Sequence, residues 1–285
     1  MKPSSQKLLL DRILQWAQTE ESIRAIILQG SHAAGLADSY SDYDLAIFCL
    51  TYAPYTKDEK WLSNIGQVWI CVHEKIEQGH AIFPTRLVIF EDGIKVDFTF
   101  YTIDLLHHLA HTKLLPAEYD RGYSVLLDKE SLTALIPKAS HKEKPSEKPS
   151  EQEFLKVIEE FWFEVYHVAV YLKRDDLWSV KLRSRSICDH FLLKMIEWNE
   201  EAKRNWKSTV PPLGKRIRSW VDADTWNALH HVFAHFDSTD SWLGLKATIE
   251  LFRKLAIDTS SRLGYSCPDE IDKNISNFIG SSAIE

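Results

Sequence analysis

Two short motifs near the N-terminus combine a glycine–serine pair with two closely spaced carboxylates. Gly30-Ser31 follows one apolar run, and Asp42-x-Asp44 leads into the next. Glycine lets a backbone approach a phosphate without a Cβ in the way, and serine offers a hydroxyl and an N–H as donors. Carboxylates two residues apart on an extended backbone face the same way, about 6–7 Å apart along the strand. Such a set suits the binding of Mg²⁺ together with substrate phosphates.

A third carboxylate is predicted from a hairpin at 85–101. Asp92-Gly93 is typical of a tight type I′ turn between two strands of alternating pattern. In the second of these strands, Asp97 lies on the polar face of a largely apolar run. An unpaired carboxylate is costly to bury there, so Asp97 is either an ordinary solvated residue or a further ligand of the metal site. With Asp42 and Asp44 already present, we favour the metal-site interpretation.

The elements that position these motifs fall into two regions. The predicted α+β fold has an N-terminal domain over 1–137, a linker over 138–152 and a C-terminal α-helical bundle over 153–285. The linker is charged and contains proline and serine but no large apolar residue. In the first domain, a mixed sheet flanked by helices, periodicity predicts helices at 6–18 and 103–115 and strands at 24–29, 44–50, 66–73 and along the hairpin. In the second it predicts helices at 153–173, 177–199, 222–236 and 241–263, the last ended by Gly264.

The first helix of the bundle carries a polar stripe opposite its apolar face. The stripe includes Glu160, Glu164, His167 and Tyr171. It either faces water, as in an ordinary bundle, or lines a cleft that holds a polycation, and the sequence favours neither. Histidines also occur at i, i+4 spacing at 107 and 111, but without an evident third ligand we interpret them as surface residues.

Composition limits the classes of partner. The net charge of −7 argues against a protein that tracks a nucleic-acid backbone, which usually needs a basic surface. It would attract a cationic small molecule, although mild acidity is equally explained by solubility. No run approaches the ~18–20 apolar residues of a membrane span, and the N-terminus lacks the apolar core of a secretory signal. The four cysteines form no C-x-x-C pair, so we expect a cytoplasmic protein.

The order strand, Gly30-Ser31, Asp42-x-Asp44, strand resembles the nucleotidyltransferase superfamily related to DNA polymerase beta. More narrowly, S-D-Y-D-L at 41–45 is similar to the aminoglycoside 6-adenylyltransferases, the streptomycin-modifying enzymes. The similarity continues through I-L-Q-G-S and V-D-F-T-F in the first half. In the second half it includes L-L-K-M-I-E-W at 192–198 and L-G-K-R-I at 213–217. The resemblance therefore covers nearly the whole chain and implies an N-terminal nucleotidyltransferase domain and a helical substrate-binding domain.

The resemblance implies transfer of AMP from ATP to a hydroxyl of a cationic acceptor, an aminoglycoside and above all streptomycin, and hence a role in antibiotic resistance. It implies Mg²⁺ as cofactor, held by Asp42, Asp44 and Asp97, which are also the catalytic residues. Asp97 is the carboxylate expected to accept the proton of the attacking hydroxyl.

The same resemblance assigns binding roles to residues outside the aspartates. Gly30, Ser31, His32 and Lys181 would bind the nucleotide. Glu160 and Glu164 are the acceptor-binding residues expected from the polar stripe of the 153–173 helix, and not from the resemblance. Lys181 matches a lysine of the family that follows an R-D-E-L-like segment. The family usually has arginine after its Gly-Ser pair, where this chain has His32.

Two alternatives remain open at the level of sequence. The first keeps the fold and changes the acceptor to a lincosamide or another small hydroxylated compound. The second is a non-catalytic, nucleotide-binding or antitoxin-like module. Intact Asp42, Asp44 and Asp97 count against the second, because a silent module has no need of all three. We expect a monomer that binds neither nucleic acid nor membrane.

Overall fold

The computed structural model describes residues 5–78, 81–141 and 145–280. The chain divides into two compact units, Met1–Lys142 and Glu143–Glu285. The division falls inside the segment 138–152, for which the sequence predicts a linker. The functions attached to the two domains stay predictions.

The first unit contains a six-stranded sheet of order β3-β4-β5-β2-β1-β6. Its strands are β1 (Ile23–Gln29), β2 (Tyr43–Cys49), β3 (Val68–Gln78), β4 (Ala81–Phe90), β5 (Lys95–Thr102) and β6 (Ser124–Asp128). Its helices are α1 (Ser5–Thr19), α2 (Gly30–Ala33), α3 (Ala53–Lys57), α4 (Ile103–Thr112) and α5 (Ala117–Asp120). Neighbouring strands are antiparallel except β2 and β5, which are parallel. The mixed sheet of the predicted α+β class is confirmed.

Both faces of the sheet are covered by helices. Alternate residues of β1 and β2 turn to opposite faces, as the period of a strand requires. One face packs with α1 in a core that includes Ile13, Trp16 and Phe98. The other packs with α4 around Leu106, Ile27 and Phe48. Because both faces are buried, β1 and β2 are apolar along most of their length rather than alternating.

One local prediction in the first unit was wrong in detail, and one strand was not predicted. The hairpin between β4 and β5 turns through three residues, Glu91–Gly93, and not through a two-residue type I′ turn. Asp92 and Gly93 do take the expected positive φ, 63° and 72°. The Glu91 N–H, however, donates to the Gln67 carbonyl at 2.9 Å, which keeps Glu91 out of the ladder. Strand β6, at the edge beside β1, was not predicted.

The second unit is helical, as predicted. Its helices are α6 (Glu151–Lys173), α7 (Leu177–Ile187), α8 (Leu193–Lys203), α9 (Ala223–Leu229), α10 (Ser238–Leu263) and α11 (Asp269–Gly280), with a π-helical turn at Cys188–Leu192 joining α7 to α8. The apolar face of α6 packs against α10, where the rings of Phe161 and Phe252 stack with centroids 3.6 Å apart. Among the helices described, none combines the length and the apolar character that a bilayer crossing requires.

The ends of the helices follow capping rules, and the predicted end of one helix was wrong. A capping box of Ser150 and Glu153 begins α6, and Gly264, with φ 75°, ends α10 where the sequence predicts. The helix predicted over 222–236 instead ends at Leu229. Apolar and aromatic residues continue the pattern to 236, but Asp237 caps the next helix, so the chain must turn between them.

The start of α9 depends on one carboxylate with two partners. Asp222 accepts a hydrogen bond from the Thr225 N–H at 2.7 Å, as an N-cap, and another from Lys203 Nζ at 2.6 Å. The bond from Lys203, together with the cap, outweighs partial burial and lowers the pKa of Asp222 to about 2. A carboxyl with a lowered folded-state pKa stabilises the fold above its unfolded-state pKa. That stabilisation is lost as the pH falls through the folded-state value.

We expect Asp222→Asn to lower the free energy of unfolding at pH 7 by about 0.5 kcal/mol, because asparagine still caps the helix but loses the ion pair with Lys203. The difference from the wild type should shrink as the pH falls from 3.8, the ordinary value, towards about 2. Urea unfolding across this pH range measures it. Asp224→Asn is the control, since that side chain is 80% exposed. An Asp222→Asn deficit that is unchanged by acid would contradict the assignment.

Candidate active site

The strand pairing brings three separate segments to one edge of the sheet. Strand β1 is antiparallel to β2 and therefore ends where β2 begins. Strands β2 and β5 are parallel, so both begin at that edge. Direct pairing sets Gln29 opposite Asp44, and Asp44 opposite Asp97. The turn after β1 and the first residues of β2 and β5 consequently surround one point.

Three carboxylates meet at this point. Ligand oxygens of Asp42, Asp44 and Asp97 lie within 4.8 Å of one another, and all three residues are partly exposed. Asp97 is more enclosed than Asp42, with 19% of its side chain exposed. Its buried Oδ1 has no hydrogen-bond partner among the residues described, so a bound cation would satisfy that lone pair. An all-carboxylate donor set fits Mg²⁺, which prefers oxygen ligands.

The glycine of the motif is required by the packing of Asp44. Gly30 has φ 68°, a region that favours glycine. A Cβ on Gly30 would lie 1.8 Å from Oδ2 of Asp44, which is far too close for two heavy atoms that are not bonded to each other. The backbone of the turn therefore touches the carboxylate directly. Ser31 follows in α2, where its carbonyl accepts the Leu36 N–H at 2.9 Å.

His32 is held against the beginning of β2. Its ring stacks on Tyr43 with centroids 4.2 Å apart and planes 12° apart. Nε2 lies 3.3 Å from the carbonyl of Ser41. Because a carbonyl can only accept, Nε2 is the donor and Nδ1 is the nitrogen left for other contacts. His32 thus contacts the residues on either side of Asp42, and it stands where the resembling family usually has arginine.

Lys95 lies between two of the carboxylates. Its Nζ donates to Oδ2 of Asp42 at 2.6 Å and to Oδ2 of Asp97 at 2.8 Å. Burial lowers the pKa of Lys95, but the two carboxylates outweigh it and the net change is upward. Burial raises the pKa of Asp97, with Asp42 and Glu74 adding to the rise and Lys95 opposing it. No role was predicted for Lys95, although alternation along β5 places it on the face of Asp97.

The remaining predicted residues lie in the second unit. Lys181, on α7, donates to the Ala234 carbonyl at 3.0 Å and to Ser241 Oγ at 2.7 Å. Burial lowers the pKa of Lys181, although the nearby carboxylates of Asp240 and Asp237 oppose the change. These contacts tie α7 to the start of α10. The role of Lys181 towards a nucleotide stays a prediction.

The two predicted acceptor-binding glutamates differ in their surroundings. Glu160 lies on the open surface of α6, 3.8 Å from Lys156 Nζ, with half of its side chain exposed. Glu164 is 18% exposed, and both of its oxygens accept from Nη1 of Arg183, at 3.0 and 2.7 Å. Arg183 also lies over the Tyr171 ring at 5.6 Å. A cationic side chain is therefore already bound to Glu164. The role of Glu160 and Glu164 towards an acceptor stays a prediction.

Comparison with known proteins gives a consistent result over the whole chain. The family model described as streptomycin adenylyltransferase matches residues 3–282. The aminoglycoside 6-adenylyltransferase of Campylobacter jejuni is 25% identical over 96% of this chain and 94% of its own length. The proteins of the same name from Bacillus subtilis and Staphylococcus aureus are 24% and 26% identical, each over 96% of this chain, and over 96% and 97% of their own lengths. The similarity thus includes the sheet that carries the carboxylates and the helical unit.

We expect Lys95→Met to increase the affinity for Mg²⁺ by roughly three- to tenfold, because the ammonium occupies the position between Asp42 and Asp97 that a cation would take. Calorimetric titration of the chelator-treated protein with Mg²⁺ measures the change. Without Mg²⁺ the variant should also melt at a lower temperature than the wild type, since the carboxylates then repel one another.

The control for this experiment is Lys57→Met, an exposed lysine on α3. It should leave both the Mg²⁺ affinity and the melting temperature unchanged. An unchanged or weaker Mg²⁺ affinity in Lys95→Met would show that the ammonium and the metal do not compete.

Proposed function

We infer the reaction from one premise: the chain belongs to the streptomycin adenylyltransferase family. It is a nucleotidyltransferase. We propose that it transfers AMP from ATP to a hydroxyl of an aminoglycoside, with streptomycin as the favoured acceptor and antibiotic resistance as the physiological result. The observation that carries the proposal is the meeting of Gly30, Asp42, Asp44 and Asp97 at one edge of the sheet.

Asp42, Asp44 and Asp97 would together hold Mg²⁺. When bound, the metal supplies positive charge that neutralises the phosphates and the departing pyrophosphate. The backbone of the turn at Gly30 can approach a phosphate closely, since no Cβ intervenes, and Ser31 offers a hydroxyl and an N–H. His32, whose Nδ1 points away from its bond to Ser41, adds a further polar group beside the turn.

Asp97 is the proposed general base. Its carboxylate has two oxygens, so one can hold the metal while the other accepts a proton during the reaction. The acceptor hydroxyl loses its proton to Asp97 while its oxygen bonds to the α-phosphorus. The bond from that phosphorus to pyrophosphate breaks in the same step. Lys95, paired with Asp97 and Asp42, limits the repulsion among the carboxylates before substrates bind.

The helical unit would contribute to substrate binding. Glu164 and, on the same stripe, Glu160 are the proposed contacts for the cationic groups of the acceptor. Glu164 already pairs with the guanidinium of Arg183, so a cationic group of the acceptor would displace Arg183 or bind beside it. The overall charge of −7 favours the approach of such a cation.

Asp44→Asn should reduce AMP transfer at least about a hundredfold while the fold survives, because asparagine keeps the shape of the side chain and removes its charge. Pyrophosphate release with ATP, Mg²⁺ and streptomycin measures the rate, and circular dichroism checks the fold. Asp92→Asn is the matched control, since asparagine tolerates the positive φ of that turn. An Asp44→Asn rate above about a tenth of the wild-type rate would refute the metal assignment.

Glu164→Gln and Arg183→Gln should change the KM for streptomycin in opposite directions. Loss of the carboxylate should raise this KM by about three- to tenfold, and loss of the competing guanidinium should lower it. The KM for ATP should stay constant in both variants. Initial-rate measurements with each substrate varied in turn give the four values. Equal effects on both substrates, or no effect on either, would show that the polar stripe of α6 is an ordinary solvated surface.

A further inference from the structure

We propose that the outer edge of the sheet carries a second metal site, selective for Zn²⁺ and formed by Glu59, Cys71 and His73. Cys71 and His73 lie two residues apart on β3, the edge strand, so their side chains share one face. Glu59 directly precedes the 3₁₀ helix Lys60–Asn64, which packs on that face. The three residues come together only in the folded chain.

The spacing of the three donor atoms is close to that of a metal site. One ligand atom of each residue lies within 4.8 Å of the other two. A tetrahedral ion with bonds of about 2.0–2.3 Å sets its ligand atoms roughly 3.3–3.8 Å apart. His73 Nε2 and Glu59 Oε1 are now 2.6 Å apart, joined by a hydrogen bond. Their side chains are 52% and 45% exposed, so small rotations can open this pair around an ion.

The donor set favours zinc over magnesium. A thiolate, an imidazole and a carboxylate are the three ligand types that Zn²⁺ takes in proteins, whereas Mg²⁺ requires oxygen. Burial, with Glu59 adding, raises the pKa of the Cys71 thiol to about 11, and Arg86 opposes the rise. A bound metal displaces that proton, as it does at other thiolate sites. Three protein ligands leave a fourth position for water or for a further ligand.

The proposed zinc site is separate from the carboxylates of the active site. Cys71 pairs with Val88, and Val88 pairs with Val96, so these three side chains share a face of the sheet. Asp97 follows Val96 and therefore points to the opposite face. The zinc site does not depend on the proposed transferase activity, and the two can be tested independently.

The test is a calorimetric titration of the whole chelator-treated protein with ZnCl₂ in the presence of excess Mg²⁺. CoCl₂ is the spectroscopic probe, because a cobalt–thiolate bond gives a charge-transfer absorption that oxygen ligands do not. We expect one Zn²⁺ per chain. Glu59→Gln, Cys71→Ser and His73→Gln should each weaken binding by about tenfold or more, since each removes one of three ligands. Cys71→Ser should also abolish the charge-transfer absorption.

Three controls keep the result unambiguous. Cys267→Ser removes another partly buried thiol, His107→Gln breaks the i, i+4 histidine pair of α4, and Asp44→Asn alters the active site. All three should retain Zn²⁺ binding and the cobalt–thiolate signal. Absence of stoichiometric Zn²⁺ binding to the wild type would overturn the proposal. Zn²⁺ binding that depends on Asp44 and not on Glu59 would overturn it as well. Because Glu59 is exposed, Glu59→Gln should fold even if Cys71→Ser does not.

Discussion

The parallel pairing of β2 with β5 is the constraint on which the site depends. All other neighbours in the sheet are antiparallel, and in an antiparallel pair two strands do not begin at the same edge. The register sets Asp44 directly opposite Asp97, and a shift of one residue would turn Asp97 towards the α1 core. Val96 and Phe98, both fully buried, hold that register from the other face. The hydrophobic core thus positions a polar site on the opposite face of β5.

Charge balance is the second requirement at this edge. Three carboxylates within 4.8 Å would repel one another strongly in a partly desolvated setting. The ammonium of Lys95 counters that repulsion within the first unit itself. Gly30 completes the arrangement by letting the backbone lie against Asp44. The strand register and these contacts therefore bring the residues of the site together.

The parts of the structure that local sequence encodes were predictable. The strands beside Gly30 and Asp44 are short apolar runs between turn residues, and the apolar stripe of α6 has clear helical spacing. The pairing of β2 with β5 was not predictable from pattern, because β3 and β4 intervene in the chain. The pairing of Lys95 with Asp42 was not predicted, because a long side chain reaches partners that spacing in the sequence does not reveal. The cluster of Glu59 with Cys71 and His73 was not predicted for a related reason, because these residues approach one another only through tertiary packing.

The π-helical turn at Cys188–Leu192 has a consequence for how the second unit tolerates change. It joins α7 to α8 without a break, and its wider turn holds an additional residue relative to an α-helix. Each residue advances an α-helix by about 100°, so the turn offsets the angular phase of α8 from that of α7. The buried residues Met195, Ile196 and Trp198 depend on this offset. A deletion of a single residue within the turn would let it close as an ordinary α-helical turn and leave the phase of α8 nearly unchanged, so this short stretch tolerates a change of length that the regular turns of α7 do not.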